Sequence, residues 1–438
     1  MRKSQARGAG TGYDKPMLHA MVVVSAIMLL AFALAWPRAG LWVWVLALAT
    51  GPDYWLDGVT GDPETTSGLL KAFGLAVLAG AALRGGMRTD RWNPAFAFLV
   101  MFCTGLIHGL HSGLSLGASL RSLLGSAAPF LFGFLRQDAR LRRAAINAVM
   151  WAPLFAVGLD AVLALAGLDQ LYTLEQGALR LGGNGQPPFL GGFALIGLYA
   201  AVLELADRPR KRVAGLAAAN FIIILLTGAR SPLALGGLAI FALLLMQKRL
   251  LPLAASGAMA AMMVLASGCL GFLRAVDLTR LGEATNLSHR LLVWPCFIGA
   301  IRQSPWVGWG VGAGKVIIPV SSQLNQLLGT NAAHDEYLRI GSEGGLLGLG
   351  LLAALLALWA ARGSRPLPRA RRWLMRLVFI AFAIQSITDN TLIATTGSVF
   401  FLWASAIFAD AENRSTRAAC SHAAPPSACR SPWALPPL

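Results

Sequence analysis

The stretch PPFLGGFALIGLYAAVLELA, residues 187–206, decides the fold. Glu204 is its one charged residue, and a helix of about 20 apolar residues crosses the roughly 30 Å of hydrocarbon in a bilayer. The basic cluster RPRKR at 208–212 follows almost at once. Basic residues collect on the cytoplasmic side of membrane helices. The pattern therefore predicts a membrane-spanning helix that ends in the cytoplasm.

The composition of the whole chain agrees with a membrane protein. Of 438 residues, 56% are hydrophobic and 13% are charged, and the mean hydropathy is +0.61. The apolar runs lack the alternation of membrane β-strands, which favours helices with internally satisfied backbones. The net charge of +17 comes from short basic clusters between apolar runs, so we expect no nucleic acid as a partner. The 5 scattered cysteines predict neither a disulfide framework nor a zinc site.

Five basic clusters set the predicted topology, and they fall at 84–91, 136–143, 208–212, 248–249 and 362–376. With these clusters in the cytoplasm, the chain is predicted to be an all-α polytopic membrane protein with about twelve transmembrane helices and one large periplasmic loop containing short helices. Residues 17–50 leave an alternative open, because they hold either one crossing or two helices broken at Pro37.

The remaining predicted spans are 68–83, 92–111, 115–135, 144–168, 187–206, 213–227, 232–246, 251–273, 343–361, 373–388 and 397–410. The chain then divides into a cytoplasmic N-terminus (1–16), a transmembrane helical region (17–273), a large periplasmic loop (274–341), C-terminal transmembrane helices (342–411) and a disordered cytoplasmic tail (412–438).

The predicted periplasmic loop carries basic residues on the face where they are normally sparse. Its segment SHRLLVWPCFIGAIRQ, 288–303, predicts either an interfacial helix or a segment in which Arg290 binds a ligand. A guanidinium group holds phosphate oxygens in a bidentate way, so the loop suits a phosphate-bearing ligand. PWVGWGVGAGK, 305–315, has four glycines but lacks the spacing and the hydroxyl of a phosphate-binding loop.

A histidine motif closes the predicted loop. NAAHDEYLRIGSEGGLLGL, 331–349, places the imidazole of His334 just outside the bilayer. If Ala333–Ile340 is helical, His334, Tyr337 and Leu338 share a face, while Asp335 and Arg339 form a second pair. A lone histidine in a loop is usually a solvated or core residue, so its interpretation depends on neighbouring motifs.

Two arginines lie at predicted outer turns. LLTGARSPL, 225–233, interrupts two apolar runs with Arg230, and an arginine near membrane depth is costly and most often functional. Snorkelling of the side chain to the interface is the alternative. In LRLGGNGQPPFLGG, 179–192, Arg180 precedes a Gly- and Pro-rich entry into a span.

Together these motifs resemble the O-antigen ligase and O-antigen polymerase superfamily of bacterial inner-membrane glycosyltransferases. The resemblance rests on TGARSPL, on SHRLLVW with PWVGWGVGAG, and on AAHDEYLRIGSEGGLLGL, in that order, with LRLGGNGQPP as a weaker fourth piece. These motifs cover roughly residues 175–350. The family commonly has Asn after the histidine and Ser before the arginine, where this chain has Asp335 and Ala229.

The resemblance implies a glycan donor carried on undecaprenyl diphosphate and an acceptor hydroxyl on the periplasmic face. A ligase uses lipid A core as acceptor, and a polymerase uses another lipid-linked glycan. We expect inversion at the anomeric carbon, no cofactor and no metal, with membrane lipids as the other partners. The expected general base is His334, the expected diphosphate ligands are Arg230, Arg290 and Arg180, and the expected supporting residues are Tyr337, Arg339 and Asp335.

Two other interpretations stay open. The first outer loop carries carboxylates that could supply a catalytic group and a metal site, at Asp53, Asp57, Asp62 and Glu64. A transporter of lipid-linked sugars would instead need polar residues along a route through the bundle, where Asp160 and Glu204 fall. Such a transporter often shows related halves, and this chain has no repeat of fixed period.

Overall fold

The computed structural model describes residues 15–51, 63–175, 178–183, 186–248, 290–328 and 331–423. These residues form fourteen α-helices, two short 3₁₀ helices and one antiparallel hairpin. The N-terminal helices α1 to α6 are Lys15–Ala35, Pro37–Ala49, Pro63–Gly85, Ala95–His108, Leu116–Leu131 and Ala139–Leu165. The hairpin strands β1 and β2 are Tyr172–Glu175 and Ala178–Leu181.

The C-terminal half continues with helices α7 to α9, which are Pro187–Asp207, Lys211–Thr227 and Arg230–Met246. Helices α10 and α11, on the predicted periplasmic loop, are Arg290–Gln303 and Gln323–Leu328. The last three helices, α12 to α14, are Glu336–Ser364, Arg369–Gln385 and Thr395–Ala423.

A helix coincides with most of each predicted span that falls within the described residues; the predicted span at 251–273 lies outside them. In the described part of the chain, four helices are long and apolar enough to cross a membrane: Gly68–Gly85 within α3, together with α6, α7 and α12. The all-α prediction therefore holds for these residues, with the hairpin as its exception.

Residues 17–50 form the two helices of the open alternative. Helix α1 ends at Ala35, and α2 begins at Pro37 after Trp36 leaves the helical conformation with φ −137° and ψ 69°. Proline has no backbone N–H, so it is tolerated at the first position of a helix and disfavoured further inside one. The break predicted at Pro37 is thus the start of a second helix.

Helix α14 runs on to Ala423 and so extends into residues 412–423 of the predicted disordered tail. The extension contains alanine, glutamate and arginine, which favour helix on intrinsic propensity alone. Asn413 also donates its side-chain Nδ2 to the carbonyl of Ala409 over 2.7 Å. Residues 424–438 of the predicted tail lie outside the described residues.

The core is built around α7 and α14. Helix α7 packs against α6, α8, α9, α13 and α14, and nearly all of its residues from Leu190 to Leu203 are buried. Helix α14 buries the aromatic side chains of Phe400, Phe401 and Trp403 among those of α13 and α5. The other helices are arranged around these two and extend to both ends of the bundle.

Ion pairs tie the basic connections together at one end, here called the basic end. Arg371 at the start of α13 lies 3.6 Å from Glu204 and 3.3 Å from Asp207 at the end of α7. Arg142 near the start of α6 lies 3.5 Å from Asp410 in α14. The predicted outer connections meet at the opposite end, here called the site end.

Candidate active site

The arginine turn, residues 227–230, joins α8 to α9 at the site end. Gly228 closes α8 with a left-handed φ of 64°, a conformation that glycine adopts without a steric penalty. Arg230 is then the first residue of α9 and is half-buried. The unpaired backbone N–H groups at a helix N-terminus favour anions. The turn therefore combines a guanidinium group with the positive end of a helix dipole.

Arg180 lies on β2, opposite Thr173 of β1. Its side chain is buried, and its Nε donates to the carbonyl oxygen of Thr227 over 2.8 Å. Cations are favourable at the carbonyl end of a helix, here the end of α8. The hairpin thus holds Arg180 against the arginine turn, which brings together two of the three predicted diphosphate ligands.

The first turns of α7 connect the arginine turn to α14. A Cβ atom on Gly191 would lie 2.9 Å from both Thr227 Oγ1 and Ala229 Cβ, and one on Gly192 would lie 3.2 Å from Thr396 Cγ2. The glycines therefore permit backbone contacts that a larger residue would prevent. Ala229, where the family commonly has Ser, fills the space beside Gly191.

The histidine segment, residues 331–340, reaches the start of α12 at the same end. His334 is half-buried and has a left-handed φ of 49°, a conformation uncommon for a residue other than glycine although histidine is enriched there. Such a conformation costs on the order of 1–3 kcal/mol and persists only where the surroundings enforce it. The helix begins at Glu336, so the predicted helical face shared by His334 and Tyr337 is wrong.

Asp335 explains why the helix starts where it does. Its side chain accepts hydrogen bonds from the backbone N–H groups of Tyr337 at 2.9 Å and Leu338 at 3.1 Å, which makes Asp335 the N-cap of α12. Asn and Asp cap helices about equally well, so the departure from the family pattern preserves the cap. Tyr337 points its hydroxyl at α13, where it donates to the carbonyl of Ala383 over 2.9 Å.

Arg339 forms a buried ion cluster with two glutamates. Its Nε lies 2.6 Å from Glu336 Oε2 and its η nitrogen lies 2.9 Å from Glu343 Oε2. All three side chains are at most 6% exposed. The predicted side-chain pair of Arg339 with Asp335 is therefore wrong, because Asp335 is occupied as the cap and the glutamates lie one turn away on either side.

Glu336 extends this cluster to the connection between α13 and α14. Its Oε1 accepts from the backbone N–H of Leu392, and its own N–H donates to the carbonyl of Ser386, both over 2.8 Å. The start of α12 is thereby fixed to residues 386–392, directly before α14. Through Thr396 and the first turns of α7, this connection continues to the arginine turn.

Arg290 is the first residue of α10, which packs against the histidine segment. Val293 and Phe297 of α10 form a small apolar cluster with Ala333 and Ile318. Trp294 donates its Nε1 to the carbonyl of Ala333, the residue before His334, over 3.1 Å. Arg290 precedes Trp294 by four residues, so both positions lie on one face of α10.

The glycine segment, residues 305–315, forms hydrogen bonds with α12 at a break in that helix. Gly345 has φ 60° and ψ −164°, values open essentially to glycine alone, and its helix is interrupted there. The interruption removes the usual partners of nearby backbone groups, and the glycine segment supplies replacements. The replacement bonds are Trp309 N to Ser342 O (2.9 Å), Gly310 N to Glu343 O (2.9 Å), Leu346 N to Pro305 O (2.8 Å) and Leu347 N to Trp306 O (3.1 Å).

The break at Gly345 is not among the predicted features, although residues 341–350 contain five glycines. Two signals of the remaining site were also readable in the sequence. An acidic residue directly before an apolar helical run indicates an N-cap, which fits Asp335. Charged residues spaced by three and four, as in Glu336, Arg339 and Glu343, indicate helical ion pairs.

The structure describes only some of the carboxylates on which the metal-site and transporter interpretations depend. Asp53, Asp57 and Asp62 lie outside the described residues, and the described residues contain no group of three or more histidine, cysteine, aspartate or glutamate side chains able to hold a metal ion. Glu204 belongs to the basic end, where it also lies 3.6 Å from Arg143. Asp160 is buried against Gly183 beside the hairpin.

A comparison with protein families identifies this arrangement. The model of a family described as O-antigen ligase matches residues 215–353, about a third of the chain. The match runs from α8 through the arginine turn to the first part of α12. Over this range, the match supports the resemblance of the chain to the O-antigen ligase superfamily. No curated protein matches the chain.

The O-antigen ligase match contains Arg230, Arg290 and His334, and leaves out Arg180 on the hairpin. It also contains the whole glycine segment and the buried cluster around Arg339. Together with the apolar helices, the match supports a ligase- or polymerase-like role in O-antigen processing, and a glycosyltransferase type of chemistry, for a bacterial membrane protein. Three residues that contact the start of α12 or the start of α7 follow the matched range in the chain: Ser386, Leu392 and Thr396.

Proposed function

We propose that this protein transfers a glycan from undecaprenyl diphosphate to lipid A core at the periplasmic face of the bacterial inner membrane. The observation that supports the proposal is the indirect connection between the arginine turn and the histidine segment. A short series of contacts through α7 and residues 386–396 connects them. Cationic groups can stabilise a departing diphosphate, and an imidazole can accept the proton of an acceptor hydroxyl.

The arginines stabilise the leaving group in this proposal. As the bond between the anomeric carbon and the diphosphate oxygen breaks, negative charge develops on the diphosphate. Arg230 lies at a helix N-terminus and Arg180 is held beside it, so both suit a phosphate ligand. Arg290 enters the proposal through its place on α10, which packs against the histidine segment.

His334 acts as the general base. The acceptor hydroxyl oxygen attacks the anomeric carbon from the side opposite the diphosphate, and its proton passes to the imidazole. The electron pair of the broken bond leaves with undecaprenyl diphosphate, and the anomeric centre is inverted. The diphosphate needs little protonation as a leaving group, so one base suffices. Asp335 and Trp294 hold the backbone on either side of His334.

The test is transfer by purified protein from undecaprenyl diphosphate-linked glycan, with and without lipid A core. Core-dependent product supports the ligase. Elongation of the lipid-linked glycan without core would instead make the protein a polymerase, and no new bond in either condition would favour a transporter. A chelator should leave transfer unchanged; loss of transfer would favour a metal site in the first outer loop.

Substitutions test the assigned roles. We expect His334→Ala to abolish transfer while the protein still inserts and binds donor. Arg230→Ala and Arg290→Ala should weaken donor binding as well as transfer. Arg302→Ala is the matched control, because Arg302 is exposed at the other end of the same α10 helix. Full transfer by the His334 variant would exclude the general base.

A further inference from the structure

A groove runs between α12 and α13, apart from the arginines and histidine of the proposed site. Its cavity has a volume of about 560 Å³, and its walls are almost entirely apolar. Side chains that form the walls include Leu352, Leu356 and Ala357 of α12 and Phe379, Ile380 and Ala383 of α13. Along α13, from Arg376 to Ser386, the groove extends about 15 Å at 1.5 Å per residue, comparable to one leaflet of a bilayer roughly 30 Å thick.

One end of the groove carries a single cation, Arg376. Its Nε lies 3.4 Å from Ser364 Oγ, where α12 ends, so the guanidinium group sits at the hairpin between α12 and α13. Within the described residues, no carboxylate lies within ion-pair distance of Arg376. Its neighbour Arg371, in contrast, pairs with both Glu204 and Asp207. The charge of Arg376 therefore faces the groove without an acidic partner from these helices.

The surroundings of Arg376 strengthen the positive field. Residues 361–376 contain no aspartate or glutamate, and their other arginines are Arg362, Arg365, Arg369, Arg371 and Arg372. Trp373, half exposed one turn before Arg376, is the kind of residue found at membrane interfaces. Basic side chains at the cytoplasmic surface attract anionic lipid headgroups.

The opposite end of the groove differs in charge. It is lined by Glu336, Tyr337 and Ser386, and none of these side chains is cationic. The carboxylate of Glu336 is held by Arg339. Among the residues that line the groove, only Arg376 can therefore pair with a negatively charged lipid headgroup.

We propose that the groove binds an acyl chain of an anionic phospholipid from the cytoplasmic leaflet, with the headgroup phosphate paired to Arg376. The apolar walls contact the acyl chain, and the guanidinium group of Arg376 favours a negatively charged headgroup. The bound lipid packs between α12 and α13, the two helices that Tyr337 joins near the histidine segment. This lipid is distinct from the glycan donor, whose diphosphate is assigned to the site end.

The experiment measures lipid binding and requires no transfer. Full-length protein is purified in detergent, and co-purified lipid is identified by native mass spectrometry. The protein is then delipidated and titrated with phosphatidylglycerol or phosphatidylcholine. We expect phosphatidylglycerol to bind about five- to tenfold more tightly than phosphatidylcholine, the scale expected for one charge-assisted pair.

Two variants and two controls locate the site. Arg376→Gln should remove the preference for phosphatidylglycerol, and Ala357→Phe should prevent binding of both lipids by filling the groove. Arg365→Gln and Leu358→Phe are the matched controls, because neither side chain lines the cavity. A preference unchanged in Arg376→Gln would overturn the proposal, as would displacement of phosphatidylglycerol from the wild-type protein by undecaprenyl diphosphate. Comparison of thermal unfolding identifies any variant that is misfolded.

Discussion

The break in α12 gives the sharpest test of how the site is held, through Gly345→Ala. A Cβ atom on Gly345 would lie 2.3 Å from the carbonyl carbon of Trp306, a backbone atom that must then move. The conformation at φ 60° costs a residue with a side chain about 1–3 kcal/mol. Loss of two of the four replacement hydrogen bonds adds about 1–3 kcal/mol.

The total destabilisation is therefore roughly 2–6 kcal/mol. With about 2.1 cal/mol/K of unfolding entropy per residue, a cooperative 438-residue chain loses roughly 1 °C in Tm for each kcal/mol. We expect an apparent Tm lowered by roughly 2–6 °C in a thermal scan of detergent-solubilised protein. Transfer should fall as well, because the displaced glycine segment leaves the start of α12 without its support.

Gly350→Ala is the matched control in the same helix. A Cβ atom there meets nothing within 4 Å, and Gly350 does not have a positive φ. Alanine is favoured over glycine in a helix by about 1 kcal/mol, so Tm should stay unchanged or rise by about 1 °C. If Gly345→Ala unfolds at the same temperature as Gly350→Ala, the account of the break is refuted.

Three further predictions concern the capping and ion-paired groups. Arg339→Met should destabilise the protein by about 3–5 kcal/mol, because it leaves two buried carboxylates without their partner; an effect below 1 kcal/mol in thermal unfolding would contradict the cluster's role. Asp335→Asn should keep both Tm and transfer, whereas Asp335→Ala should cost about 0.5–2 kcal/mol. Burial raises the pKa of Asp138, but hydrogen bonds from the Leu141 N–H and the Arg38 guanidinium outweigh this effect and hold the pKa below its usual value of 3.8. Ionised Asp138 therefore stabilises the folded protein above pH 3.8, and this contribution is lost as the pH falls through the lowered pKa; Tm of wild type and Asp138→Asn, compared across that range, should converge in acid.

The sequence predicts most of the helices because a bilayer leaves few options for an apolar run. Runs such as 187–206 and 144–168 are helical within a few residues of their predicted ends. The extension of α14 beyond 411 is not predicted, because the apolar pattern that marks a span ends there and the extension is polar. The hairpin was missed because strands of four residues carry too little pattern to distinguish them from a loop.

For the candidate site, residue types were easier to predict than their contacts. Arg230 and His334 stand out in sequence, the first by its cost near membrane depth and the second by its motif. The contact of Arg180 with Thr227 depends on a hairpin folding back over a turn 47 residues away, which no local pattern specifies. The same holds for the glycine segment, whose partners at 342–347 are set by tertiary structure.

The anchoring of Glu336 to Ser386 and Leu392 bears on how this protein can be divided. The family match ends at residue 353, yet both anchor residues follow it, and Gly191 and Arg180 precede it. A fragment limited to 215–353 would therefore lack the groups that seat α12 and the arginine turn. Chimeras between relatives should exchange the hairpin, the start of α7 and everything from α8 to the start of α14 together, because contacts join the hairpin, α7, the arginine turn, the start of α12 and residues 386–396.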